Sequence, residues 1–254
     1  MVNPPHRVAH RGGSHLAPEN TLAAFRNALT MPVDAIELDV QMSRDGYAIV
    51  FHDATVERLT DGVGNILDLD FAYLRSLNAA AHFSGGWPQS EQIPMLREVL
   101  ELAKGRIQVY IEIKLGKRDG TYVRYPDIVE TVVREVQAAR MLDQVVIISF
   151  DWQQLAEAKA LEPALQTGAI VSKDVWSPHA EHALDTLCNQ VIGYGCQWVN
   201  LDYQLFMADL PALLHRRGLQ VGLWTINTLD ELRRLAASGV DSLTSDRPDI
   251  FAQM

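Results

Sequence analysis

The sequence predicts an α/β fold in which eight parallel strands alternate with helices, the TIM or (β/α)8 barrel. Three observations support this prediction. The chain has 254 residues, and such barrels typically need about 250. Strand-like and helix-like segments alternate almost to the end of the chain. Several strand segments are nearly continuous apolar runs, which is typical of parallel strands covered on both faces. A doubly wound open sheet gives the same alternation, and the eight strands favour the barrel.

The predicted barrel strands are short segments rich in valine and isoleucine. They cover residues 7–9, 35–40, 107–114, 145–150, 167–171, 198–202, 220–226 and 242–245, with an extra short strand at 47–51. Apolar residues spaced three and four apart predict helices that begin near Leu22, Leu96, Ile128 and Leu229. Glu19 or Asn20 is expected to cap the first of these helices. Thr228 and Glu231 have the spacing of a capping box at the last.

Residues 53–93 interrupt this alternation. The stretches TDGVGN (60–65) and SGGWPQS (84–90) are rich in turn residues and flank a short helical piece at 71–77. We interpret 53–93 as a small insertion above one mouth of the barrel, within a single domain that spans 1–254.

The charge of the chain argues against a nucleic-acid partner. Lys and Arg number 22 against 32 Asp and Glu, a formal net charge of -10, and such a surface repels polyanions. A site for an anionic substrate must therefore be locally positive, through a metal ion or a few basic side chains.

Two cysteines give no disulfide framework. Without an apolar leader or a run near the ~18 residues of a membrane span, a cytoplasmic location and no stable membrane insertion are expected.

Two predicted strands contain charged residues where a barrel strand should be apolar. Glu37 and Asp39 alternate with apolar residues in the second strand, and Glu112 and Lys114 do so in the next barrel strand. Residues two apart share a face, so these side chains should point into the barrel near its C-terminal mouth. Three converging carboxylates suit a hard divalent cation, Mg²⁺ or Ca²⁺. An ion-pair network with Lys114 inside the barrel is the alternative that the residues leave open.

Two histidines lie at predicted strand ends, where barrel enzymes place their chemistry. His10 follows the first strand and precedes Arg11, and His52 ends the short strand at 47–51, next to Asp53. Two histidines on either side of a scissile bond can serve as general base and general acid near neutral pH. The other six lack such surroundings and are interpreted as loop or surface residues: His6, His15, His82, His179, His182 and His215.

Seven short motifs occur in an order that resembles the glycerophosphodiester phosphodiesterase family, in its bacterial, cytoplasmic type. They are HRGG (10–13), PENT (18–21), ELDV (37–40), HD (52–53), EIK (112–114), WTIN (224–227) and SDRP (245–248). Each motif is weak alone, and the ordered set, which extends from near residue 7 to residue 250, is specific. The last motif usually reads Thr-Asp, whereas Ser245 precedes Asp246 here; both residues offer a hydroxyl.

The resemblance implies a TIM barrel with a small insertion after the HD motif, and it implies roles for individual residues. Glu37, Asp39 and Glu112 look like ligands of one divalent cation, and His10 and His52 look like the acid/base pair. The phosphate-binding set that it implies is Arg11 and Lys114, with Trp224 and Phe150 as an apolar wall against the glycerol or the leaving group.

The function that follows is metal-dependent hydrolysis of a small-molecule glycerophosphodiester to glycerol 3-phosphate and an alcohol. His10 is favoured as the base and His52 as the acid, although the sequence leaves this order open. It also leaves open whether water attacks the phosphorus directly or the glycerol hydroxyl first forms a cyclic phosphate. The sequence leaves the oligomeric state unknown. The nearest alternative is a related phosphodiesterase that acts on lysophospholipids or phosphoinositides. A Schiff-base aldolase using Lys114 is a second, but the nearby carboxylates would keep this lysine charged. A third is a barrel that binds a phosphodiester without catalysis, which would be expected to lack one of the two histidines.

Overall fold

A computed structural model describes residues 4–174, 176–178 and 182–254 of the chain. The strands of this part are, in chain order, β1 His6–Ala9, β2 Ala35–Met42, β3 Ala48–Val50, β4 Gln108–Ile113, β5 Gly116–Arg118, β6 Thr121–Val123, β7 Val145–Ser149, β8 Gln166–Val171, β9 Trp198–Asp202, β10 Gln220–Trp224 and β11 Ser242–Ser245. Eight of them pair in parallel in the order β1, β11, β10, β9, β8, β7, β4 and β2, and β1 also pairs with β2. The sheet is therefore a closed barrel, as predicted.

Helices cover the outside of this barrel. They are α1 Leu22–Ala28, α2 Phe71–Ser76, α3 Leu96–Ala103, α4 Ile128–Ala139, α5 Trp152–Leu161, α6 Ala183–Gly193, α7 Leu210–Arg216 and α8 Leu229–Ala236. All except α2 connect one barrel strand to the next. After β11, a 3-10 segment at Pro248–Gln253 takes the place of a last helix. No helix of the described residues is both long and apolar enough to cross a bilayer.

The core has two layers, and the alternation of side chains along each strand explains them. Ile36, Leu38 and Val40 of β2 pack outward into the large cluster between strands and helices. Ala35 of the same strand points inward, where it packs with Tyr110 and other interior residues in a smaller cluster. The inward face of β2 therefore passes from apolar at its start to carboxylate at its C-terminal end, which places the charges at one mouth.

The predicted strand boundaries agree with the observed ones to within two residues, but the caps do not. The hydroxyl of Thr21, not a side chain of Glu19 or Asn20, accepts a hydrogen bond from the N–H of Ala24 at the start of α1. The capping box expected at α8 is absent, since Thr228 makes no side-chain cap. Capping depends on the backbone angles of the turn, which spacing does not reveal.

Residues 53–93 contain α2 and a 3-10 turn at Ile66–Asp68. The guanidinium of Arg75 donates to both carboxylate oxygens of Glu98 on α3, at 2.7 Å each. Leu74 and Leu77 are buried. The hairpin of β5 and β6, which the sequence analysis did not predict, lies against this segment, because Asn65 donates to the backbone carbonyl of Lys117. The interpretation of residues 53–93 as a small insertion within a single domain stays a prediction.

Candidate active site

Three carboxylates from neighbouring strands meet at the C-terminal mouth of the barrel. Glu37 and Asp39 lie on β2 and Glu112 lies on β4, and the parallel register places Asp39 beside Glu112. One oxygen from each lies within 4.8 Å of the others. All three side chains are buried. The structure thus brings together the three residues that the sequence analysis selected.

The charges in this cluster shift the pKa values of its members in opposite directions. Burial raises the pKa of Glu37 to about 8, and the nearby charge of Asp39 adds to this effect. Burial would also raise the pKa of Asp39, but the charges of Lys114 and Arg11 outweigh this effect and hold the pKa of Asp39 well below its usual range. The Nζ atom of Lys114 lies 2.7 Å from Glu112 and 3.4 Å from Asp39. Lys114 therefore neutralises only part of the triad.

The triad fits a hard divalent cation. The Oδ1 atom of Asp39 is buried and accepts no hydrogen bond, with Nζ of Lys114 3.4 Å away, and a buried carboxylate oxygen without a hydrogen bond is costly. Divalent cations such as Mg²⁺ and Ca²⁺ prefer oxygen ligands, and the available donor atoms in this group are carboxylate oxygens. The ion pairs with Lys114 are also present. A cation-binding triad and an ion-pair network, the two interpretations that the sequence left open, are therefore compatible in one cluster.

Arg11 lies against the triad in a tight turn after β1. Its φ of 51° is in the left-handed region, and this conformation directs its backbone N–H to Glu37, 2.9 Å away. Its guanidinium donates to Glu19 at 2.9 Å and lies 3.2 Å from Asp39. Asn20 also donates to Asp39, at 2.8 Å. The PENT motif thus orders the loop of Arg11 and the side chain of Asp39.

His10 lies between two carboxylates. Its Nδ1 is 2.6 Å from Oδ1 of Asp246, and its Nε2 is 3.8 Å from Oε2 of Glu37. Burial lowers the pKa of His10, but the two carboxylates outweigh burial and the pKa is raised. Hydrogen bonds hold the pKa of Asp246 below its usual range in spite of burial. Because ionised Asp246 can only accept, Nδ1 carries a proton and Nε2 faces the triad.

Asp246 is the site residue that the role assignments missed. Besides His10, its carboxylate accepts hydrogen bonds from Ser14 at 2.6 Å and from Asn227 at 2.7 Å. Its backbone N–H donates to the side-chain oxygen of Asn227. Asp246 belongs to the SDRP motif and Asn227 to the WTIN motif. An acidic residue directly after a barrel strand was the signal that could have identified Asp246.

His52 has a similar carboxylate partner. Its Nδ1 lies 2.6 Å from Oδ1 of Asp53. Asp53 in turn accepts two hydrogen bonds from Arg58. Burial would raise the pKa of Asp53, but hydrogen bonds to His52 and Arg58 outweigh it and lower that pKa. As for His10, the acceptor-only partner assigns the proton to Nδ1 and leaves Nε2 as the nitrogen free to exchange a proton.

An aromatic pair lies beside the charged cluster. The rings of Phe150 and Trp224 meet edge to face, with centroids 5.8 Å apart. Phe150 is 46% exposed, and Nζ of Lys114 is 6.0 Å from the centre of its ring. The indole N–H of Trp224 donates to the backbone carbonyl of Asn200. These aromatic faces therefore border the same mouth as Lys114.

Two of the remaining histidines pair with aspartates in the part of the chain that the structure describes. The Nε2 atom of His15 lies 3.8 Å from Asp246, and its side chain is more than half exposed. His215 pairs with Asp241 on the surface. His179 lies outside the described residues.

The chain is similar to a known family over almost its whole length. The family model for the glycerophosphoryl diester phosphodiesterase family matches residues 10–250. A glycerophosphodiester phosphodiesterase of Caldanaerobacter subterraneus subsp. tengcongensis is 31% identical over 248 residues, which cover 97% of this chain and 96% of the relative. The structure of an Oleispira antarctica phosphodiesterase in complex with the product sn-glycerol-3-phosphate is 27% identical, with a TM-score of 0.82, and the match covers 98% of this chain and 96% of that one.

Proposed function

Because the chain belongs to the glycerophosphoryl diester phosphodiesterase family, we propose that it hydrolyses glycerophosphodiesters to glycerol 3-phosphate and an alcohol. The observation that supports this function most strongly is the position of two aspartate-held histidines beside a buried triad of carboxylates. This arrangement offers proton transfer and charge stabilisation at one mouth of the barrel.

Glu37, Asp39 and Glu112 would hold one divalent cation, Mg²⁺ or Ca²⁺. A cation bound there supplies Lewis acidity that polarises a phosphate oxygen. The buried Oδ1 atom of Asp39, which accepts no hydrogen bond, supports this assignment.

Arg11 and Lys114 are proposed to bind the phosphate of the substrate. Both side chains are largely buried, and each is already placed against the triad by ion pairs. Together with a divalent cation on the triad, they would make this mouth locally positive on a chain whose net charge is -10. A phosphodiester anion would then be attracted to this mouth.

The two histidines are proposed to transfer the protons. His10 removes a proton from the attacking oxygen through Nε2, and His52 protonates the departing alcohol oxygen. Asp246 and Asp53 fix the proton on Nδ1 of each ring, as a carboxylate does for histidine in many hydrolases. The same assignment serves attack by water and attack by the neighbouring glycerol hydroxyl, because each attacking oxygen must lose a proton.

Phe150 and Trp224 are proposed as the apolar wall against the carbon skeleton of the substrate. A lysophospholipid substrate would be expected to need an apolar lip at this mouth. In the segment that could provide one, Leu74 and Leu77 are buried, and Phe83 packs edge to face on Trp87. Leu74 and Leu77 are therefore not available to form such a lip.

The purified protein should be assayed against glycerophosphocholine, glycerophosphoethanolamine, glycerophosphoglycerol and a lysophospholipid. We expect release of glycerol 3-phosphate from the first three, its loss after treatment with chelator, and its recovery with Mg²⁺ or Ca²⁺. Cleavage of the lysophospholipid alone would contradict the proposed substrate class. Full activity in metal-stripped protein would contradict the proposed cation site.

A further inference from the structure

Arg58 connects the loop of His52 to the rest of the site. Its guanidinium donates from Nε to Oδ2 of Asp53 at 2.5 Å and from Nη2 to Oδ1 at 3.0 Å. The same Oδ1 atom bonds to Nδ1 of His52. The orientation of the His52 ring therefore depends on a carboxylate that Arg58 holds at both oxygens. Such a forked contact fixes direction as well as distance.

The same guanidinium also reaches the loop of Arg11. Its Nη1 and Nη2 atoms donate to the two oxygens of Glu19, at 3.2 Å and 2.8 Å. Oε1 of Glu19 also accepts from Arg11. A continuous chain of hydrogen bonds thus runs from His52 through Asp53, Arg58 and Glu19 to Arg11.

The charges make Arg58 the central member of this chain. Asp53 and Glu19 are 23% and 10% exposed in their side chains, so neither is fully solvated. Hydrogen bonds from Arg58 lower the pKa of Glu19 and of Asp53 against the effect of burial. A lysine ammonium could not replace it, because only the planar guanidinium offers donors to two carboxylates in fixed directions.

Arg58 and Glu19 line a groove of about 650 Å³, together with His15 and His82 among others. Truncating Arg58 would let water from this groove reach the two carboxylates. Water would solvate their charges, so the fold should survive. The carboxylates would then be free to rotate, and the geometry of His52 and Arg11 would be lost.

We propose that Arg58 is a positioning residue for the hydrolysis reaction, which orients His52 through Asp53 and Arg11 through Glu19. It touches neither the reacting atoms nor the three carboxylates of the triad among its recorded contacts. This inference rests on the proposed function, and it adds a residue of the 53–93 segment to the groups that set the geometry at the phosphate.

The test compares Arg58→Met and Arg58→Lys with a matched control, Arg44→Met. Arg44 makes the same forked ion pair, with Asp70 at 2.8 Å and 2.5 Å, and it has a similarly exposed side chain. Its pair involves no residue of the site. We expect kcat on glycerophosphocholine to fall about 10–100-fold in Arg58→Met, since small misplacements of catalytic groups cost about this much. Arg58→Lys should recover little of it, and Arg44→Met should remain within about twofold of wild type, as expected for an exposed pair.

Substrates with different leaving groups distinguish this positioning role from a purely structural role of Arg58. Because His52 is the proposed general acid, the ratio of activities on an alkyl and an activated aryl phosphodiester should change in Arg58→Met in the same direction as in His52→Ala. Equal losses on both substrates, together with a lowered melting temperature, would overturn the proposal. If wild-type protein hydrolyses no glycerophosphodiester, the proposed function fails instead, independently of Arg58.

A second measurement does not depend on turnover. The ¹⁵N shifts of the His52 ring should report a proton fixed on Nδ1 in wild type, because Asp53 can only accept. In Arg58→Met the shifts should move toward a mixture of the two tautomers, and in Arg44→Met they should not. A His52 ring with unchanged shifts in Arg58→Met would overturn the proposal.

Discussion

At the scale of the residue, the two proposed acid/base groups differ in how far away their partners lie in the chain. His52 bonds to the next residue, Asp53, whereas His10 bonds to Asp246, 236 positions away. Both pairs have the same short distance of 2.6 Å. The two rings are therefore held alike, although only one of the pairs could be recognised in the sequence.

The leaving group should separate the two histidines. If His52 is the general acid, His52→Ala should lose about 10²–10⁴-fold on a poor alkoxide leaving group. It should lose much less on an activated aryl phosphodiester, whose phenolate departs without a proton. His10→Ala should be impaired on both substrates, because the attacking oxygen always needs its base. Steady-state kinetics on the two substrates measure this difference.

Rescue of His10→Ala by the aryl substrate, without rescue of His52→Ala, would reverse the assignment. If the aryl substrate rescues neither variant, His52 is not a general acid and the mechanism with two histidines is wrong.

Lys114→Met should harm turnover more than folding. The ammonium of Lys114 is 2.7 Å from Glu112 and shares the mouth with Phe150, so its loss removes a proposed phosphate contact. Its loss also leaves the triad less compensated, and a bound divalent cation should be held at least as tightly. We expect kcat/KM to fall at saturating Mg²⁺ with metal affinity kept or increased, as measured by calorimetric titration. Wild-type turnover with unchanged KM would assign Lys114 to a structural ion pair.

At the scale of the element, the α1 segment shows how a helix start fixes part of the site. The hydroxyl of Thr21 accepts from Ala24 and donates to the carbonyl of Pro18. Glu19 and Asn20 lie in the turn between these residues, and they reach Arg11 and Asp39. The cap of α1 thus holds two residues of the PENT motif in position to support the site.

Replacing this cap should cost stability. Thr21→Ala removes the side-chain acceptor of a buried helix start, and we expect a loss of about 1 kcal/mol in the free energy of unfolding, within the roughly 0.5–2 kcal/mol typical of N-caps. Thr228→Ala is the control, because Thr228 precedes α8 without a capping hydrogen bond. Its change should be smaller in chemical denaturation. Equal losses in the two variants would show that the hydroxyl of Thr21 does not stabilise α1.

At the scale of the whole molecule, the barrel concentrates like charges in one place. Glu37, Asp39 and Glu112 come from two strands and are buried together. Arg11 and Lys114 compensate them in part. The fold therefore keeps an anionic centre within a chain that is already acidic, and a divalent cation should stabilise the folded state.

Adding a divalent cation should raise the melting temperature. A ligand that binds only the folded state stabilises it by RT ln(1 + [L]/Kd), about 2.7 kcal/mol at one hundred times Kd. We expect Mg²⁺ or Ca²⁺ to raise the melting temperature of wild type in a thermal shift assay. The increase should be smaller in Glu112→Gln, which lacks one anionic ligand. The same increase in both proteins would place the cation elsewhere.

Acid should destabilise the protein through Asp246. Its folded-state pKa lies below the unfolded value of about 3.9, so its contribution is present above that pH and is lost as the pH falls toward the folded value. Wild type should therefore lose stability more steeply than Asp246→Asn between about pH 5 and pH 3. The difference over this window should be on the order of 1 kcal/mol, read from denaturation curves at each pH. Parallel curves for the two proteins would contradict this role of Asp246.

The sequence by itself determined the order of strands and helices, because these follow from local alternation and helical spacing, whereas the pairing of β1 with β2 that closes the barrel is a tertiary contact. It also selected Glu37, Asp39, Glu112 and both histidines as candidates, since charges on an inward strand face and at strand ends are local patterns. Only the tertiary structure decided which groups support them. Asp246 meets His10 because β11 closes the barrel beside β1, and Arg58 meets Glu19 across 39 positions. Contacts between distant segments depend on how the chain packs, and no periodicity along the sequence records them.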